Sequence, residues 1–77
     1  MLRAARVALG LSQAELAIRA GVSRQTIVRL EAGGKGVALD VVDRVRAALE
    51  RAGIIFLPAS SEHGPAVAVR RPRRSAS

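Results

Sequence analysis

The stretch Gln13–Ala32, QAELAIRAGVSRQTIVRLEA, constrains this chain more than any other feature. It holds two short helical patterns with only Gly21-Val22 between the first and the N-cap of the second. Ser12-Gln13-Ala14-Glu15 opens the first as a capping box, in which the Ser oxygen accepts from the Glu backbone N–H and the carboxylate reaches back. The spacing predicts a helix over residues 13–20, with Ala14, Leu16, Ala17 and Ala20 turned inward. Ser23 is an N-cap for a second helix over residues 24–32, with Ile27 and Leu30 on its inner face. Ala17 stands where the two helices cross, and a larger side chain there holds them apart. Gly21 supplies the left-handed turn that residues with a Cβ resist, and Val22 plugs that turn into the core. The outcome is two helices at a steep angle, with the outer edge of the second left open at its N-terminal end.

The flanks extend the pattern. Residues 2–9 place Leu2, Ala5 and Leu9 on one helical face, and Gly10 follows as a left-handed cap. Gly33-Gly34-Lys35-Gly36 is a connector, because three glycines in four residues are costly inside a helix. The longest pattern, residues 39–52, sets Leu39, Val42, Val45 and Leu49 on one face. Its acids, Asp40 and Asp43, lie early and its Arg residues, Arg44, Arg46 and Arg51, lie later, as the helix dipole favours. No Ser, Thr or Asp caps its start. After Gly53 the character changes: Ile54-Ile55-Phe56-Leu57 and Ala66-Val67-Ala68-Val69 read as two strands of a hairpin around a loop over residues 59–65. An isolated hairpin is marginal in water, so this one must pack on the helices or on a second chain.

Seventy-seven residues make one small domain. Without Cys there is no disulfide or thiolate metal site, and one His, His63, makes no His cluster. Neither a signal peptide nor an apolar run of spanning length is visible, and the expectation is a cytoplasmic protein. The formal net charge is +7, from 13 Lys and Arg against 6 Asp and Glu, which suits a polyanionic partner. Phe56 is the only aromatic, so the stacking platforms used for single strands or RNA are missing.

The open edge of the second helix carries Arg24, Gln25 and Arg29, flanked by Ser23 and Thr26. Arg pairs in bidentate fashion with guanine and Gln with adenine in the major groove. Hydroxyls and helix N-terminal N–H groups suit phosphates. This residue set is equipped to read base edges in a duplex.

Residues 6–33, RVALGLSQAELAIRAGVSRQTIVRLEAG, resemble the phage-repressor and Cro-type helix-turn-helix family, also called XRE. The likeness covers roughly the first fifty residues. It implies a mainly α protein: a four-helix lambda-repressor-like DNA-binding domain with a short C-terminal β-hairpin. It also implies a homodimer that sets two recognition helices in successive major grooves of double-stranded DNA. By the same likeness Arg24, Gln25 and Arg29 face bases. Gln13, Ser23, Thr26 and Lys35 lie at phosphates, and Arg6 and Glu31 form an interhelical ion pair. The ending resembles small bacterial members in which the last helix runs into a β element.

The chain thus divides into residues 1–53 as the DNA-binding unit, 54–70 as a hairpin and 71–77 as a basic tail. Ile54, Ile55, Phe56, Leu57, Val67 and Val69 are candidates for dimerisation. Sequence-specific regulation of transcription, with repression as its sign, is the function implied. The alternative is an antitoxin whose C-terminal segment binds a toxin protein while its helix-turn-helix autoregulates the operon.

No cofactor, metal or catalytic residue is expected. Lys35 lacks the Walker spacing and the Ser/Thr of a phosphate loop. His63 stands in a Gly/Pro/Ser loop with no Ser, Cys or Asp constellation around it and reads as solvated. The spacing of Asp40 and Asp43 is explained by the helix dipole alone.

Overall fold

A computed structural model describes residues 1–60 and 64–70. His63 and the basic tail 71–77 lie outside the described residues. Among the described residues four helices precede two strands: α1 (Leu2–Ala8), α2 (Gln13–Ala20), α3 (Arg24–Glu31), α4 (Leu39–Arg51), β1 (Ile54–Leu57) and β2 (Ala66–Val69). The strands pair antiparallel, with Ile54 opposite Val69 and Leu57 opposite Ala66. The architecture is mainly α with a C-terminal hairpin, as the sequence pattern implies.

Local chemistry sets the helix limits. The capping box is complete: Glu15 N–H donates to Ser12 Oγ at 3.0 Å, and Ser12 N–H donates to Glu15 Oε1 at 2.8 Å. Gly21 closes α2 at φ 69°, ψ 35°, and Val22 N–H donates to the Ala17 carbonyl at 3.0 Å. A Cβ at Gly21 would meet nothing within 4 Å, so the demand for glycine there is conformational and not steric. Ser23 caps α3, and α4 starts after Ala38 with no side-chain cap.

The core is wholly aliphatic and includes four alanines: Ala5, Leu16, Ala17, Ala20, Ile27, Leu30, Val45, Ala48, Leu49 and Ile54. Among the described residues no polar or charged residue is buried as a whole, backbone included. Ala17 and Ala20 let α2 lie close against its neighbours α3 and α4. Ile54 joins the same core, so the hairpin is anchored to the helices by a strand residue at 2 % exposure. Phe56 and Val67 pack against that core too, and the Arg46 guanidinium sits over the Phe56 ring at 4.6 Å, tying α4 to β1.

Two inward assignments are corrected. Leu39 is 80 % exposed. Each three-residue step along 39, 42 and 45 falls short of a full turn, so at about 100° per residue Leu39 stands roughly 120° round from Val45. Ala48, only about 60° round from Val45, takes a core position instead. Ala14 is exposed for the same reason, lying roughly 160° round α2 from Leu16 and about 120° from Ala20.

Candidate nucleic-acid interface

The corner built by Ala17, Gly21 and Val22 carries α3 with Ile27 and Leu30 buried beneath it. Arg24, Gln25 and Arg29 consequently lie on its exposed side. Among the described residues, none of these three side chains makes a hydrogen bond or an ion pair within the chain. Their polar groups remain available to an outside partner.

The other polar groups around α3 are engaged. Arg6 Nε donates to Glu31 Oε2 at 2.6 Å and Nη2 to Glu31 Oε1 at 3.0 Å, while Nη1 donates to the Leu11 carbonyl at 2.8 Å. The two side chains are 13 % and 7 % exposed, so the fork joins α1 to the end of α3 largely out of water. The hydrogen bond from Arg6 holds the Glu31 carboxyl below its usual range, overcoming a burial effect in the opposite sense. Gln13 and the charges of Arg6 and Arg3 add to the lowering. The same bond raises the Arg6 pKa. Because Glu31 is the only acid of α3, this pairing removes the one negative charge that could oppose a polyanion on that helix.

The flanking residues fall as follows. Gln13 Nε2 donates to Glu31 Oε1 at 3.2 Å, which leaves the second N–H of that amide available at the start of α2. Ser23 Oγ accepts from Thr26 N–H at 3.1 Å and lies 2.8 Å from Thr26 Oγ1, so one of the two hydroxyls donates to the other. Lys35 is exposed in the loop after α3. That loop is a set of hydrogen-bonded turns: Gly34 N–H donates to the Arg29 carbonyl at 2.9 Å and Val37 N–H to the Gly34 carbonyl at 3.1 Å. Val37 packs on the core, which fixes the loop and therefore the root of Lys35.

The candidate dimer residues separate by strand alternation. Ile54, Phe56 and Val67 point toward the core of their own chain, and Val69, opposite Ile54, shares their face at 48 % exposure. Ile55 and Leu57, each 39 % exposed, lie on the other face with their partners Ala68 and Ala66. Sequence reading passed over two features. Gln13 is held by Glu31, and the separation of eighteen residues hides that contact. Val28 lies on the outer side of α3 without joining the core, although its spacing from Arg24 and Gln25 was there to be read.

A close two-helix corner, an exposed helix with unengaged Arg and Gln, and a cation-bearing loop beside it define a helix-turn-helix domain of the duplex-DNA-binding class. A family model for helix-turn-helix proteins matches residues 2–52. An uncharacterized HTH-type transcriptional regulator of Methanothermobacter thermautotrophicus is 47 % identical over 51 residues, 66 % of this chain and 74 % of that protein. The chain belongs to the XRE-type helix-turn-helix family. Among the described residues no helix is long and apolar enough to cross a membrane, and no group of His, Cys, Asp or Glu could hold a metal.

Proposed function

We propose that this DNA-binding transcriptional regulator works as a homodimeric repressor that reads its operator with α3. The observation that carries the reading is the contrast around α3. Arg6, Gln13, Ser23, Thr26 and Glu31 are tied into the protein, whereas among the described residues Arg24, Gln25 and Arg29 have no such tie. The tied residues orient the helix, and the untied ones meet base edges, Arg at guanine and Gln at adenine. Lys35 and the remaining N–H of Gln13 contact phosphates on either side, and the hydroxyls of Ser23 and Thr26 accompany them.

The outer face of the hairpin supports dimerisation, since Ile55 and Leu57 are exposed there beside the half-buried Ala66 and Ala68. Two such copies place their recognition helices in half-sites about one helical turn, ~34 Å, apart. Occupying an operator that overlaps a promoter excludes polymerase, which gives repression as the sign.

Selection from a random duplex pool tests the base-reading role. Gln25→Ala is expected to relax the preference at one operator position. Lys35→Ala is expected to weaken binding to all sequences alike and to lower the salt slope by about 1. A Gln25→Ala protein with an unaltered preference at every position would remove Gln25 from the reading set. The antitoxin alternative draws on the same hairpin face, and the mass of the purified complex separates the two: two copies of this chain, or this chain with a different protein.

A further inference from the structure

Val28 is the one apolar residue of α3 that the core does not take. Ile27 and Leu30 are buried, whereas Val28 is only partly buried and, among the described residues, does not pack against the core cluster. At about 100° per residue it falls between Arg24, four positions back, and Gln25, three positions back. It therefore sits within the polar reading edge and not beside it. Helix propensity gives no reason for it, because a β-branched side chain on a short exposed helix is poorer than Ala, Lys or Gln.

Resting on the reading of α3 as the base-contacting helix, we infer that Val28 is a specificity-determining residue that recognises the 5-methyl group of a thymine. That methyl is the only apolar group a base pair presents in the major groove. A stiff, branched side chain held between two longer polar ones can cover it without losing rotamer freedom on binding. Arg24 and Gln25 on either side of Val28 fix the neighbouring purines by hydrogen bonds, so the thymine is read by shape within a short run of bases.

The test uses the full chain and the duplex it selects. Each thymine of a half-site is replaced in turn by deoxyuridine, which lacks the methyl and keeps every hydrogen-bonding group. Wild type and Val28→Ala are titrated against each duplex. At one thymine the replacement is expected to weaken wild type about fourfold, the worth of one buried methyl-sized group. Val28→Ala is expected to bind the thymine duplex about fourfold more weakly and to ignore the replacement. Val28→Thr, which keeps the branch and one methyl, should retain part of the discrimination, and equal thermal unfolding of all three proteins shows that the fold is unchanged. If wild type and Val28→Ala respond identically at every thymine while the duplex preference stays intact, the Val28 assignment is wrong and the α3 reading stands. A pool that yields no preferred duplex overturns both.

Discussion

Arg6 has all three of its nitrogens occupied, two on Glu31 and one on the Leu11 carbonyl, and this makes it the pivot between the first helix and the recognition helix. Removing the carboxylate strands a largely buried guanidinium. Glu31→Ala is expected to cost about 3 kcal/mol, the lower end of what breaking a buried pair costs, since both side chains keep a little exposure. Chemical denaturation of the variant beside wild type checks that cost.

The pH dependence has a definite sign. Glu31 has a folded pKa below its unfolded one, so its stabilisation is complete above the ordinary carboxylate range and is lost as pH falls through the depressed folded value. Thermal melts of wild type and Glu31→Gln should therefore differ most near neutral pH and converge in acid. A gap that widens on acidification would contradict the assignment. Arg24, Gln25 and Arg29 behave otherwise: with no hydrogen-bond or ion-pair partner among the described residues, their substitution is expected to change DNA binding and leave the melting temperature within the small range of surface changes.

The elements were legible because their ends carry unambiguous chemistry. Ser12, Glu15, Gly21 and Ser23 mark the limits of α2 and the start of α3, and the structure places them as the cap and turn residues they resemble. Ser12→Ala is expected to cost about 1 kcal/mol through loss of the cap. Gly21→Ala, with open space for its Cβ but φ at 69°, is expected to cost about 1–2 kcal/mol from conformation alone. Equilibrium unfolding of both variants measures the two costs, and the Gly21 variant should also bind DNA less well, because the corner sets the angle of α3. Facing was less legible than extent. Leu39 and Ala14 are apolar residues near the start of their helices, where a spacing of three still resembles a stripe although the true phase has drifted away from the core. In IIFL every residue is apolar, so composition cannot say which alternate pair turns inward.

For the molecule as a whole, that alternation decides what is available to a partner. Ile54 belongs to the core of its own chain, and Ile54→Ala is expected to destabilise the fold by about 2–5 kcal/mol. Ile55 and Leu57 lie on the opposite face of the same strand. A charge there, as in Leu57→Glu, is expected to leave the monomer folded while abolishing dimers in sedimentation and weakening binding to a paired operator far more than to a half-site. If Leu57→Glu keeps the mass of wild type, the hairpin face is not the dimer contact.

The sequence by itself determined the two-helix corner, the boundaries of the helices and strands and the residue types on the recognition helix, because caps, glycines and small residues act on the backbone within a few positions. Tertiary structure alone decided which apolar groups meet water and that Gln13 joins Arg6 on Glu31. Those outcomes depend on the phase of each helix against its neighbours and on the register of the hairpin, and both are fixed only when separate elements compete for the same buried volume.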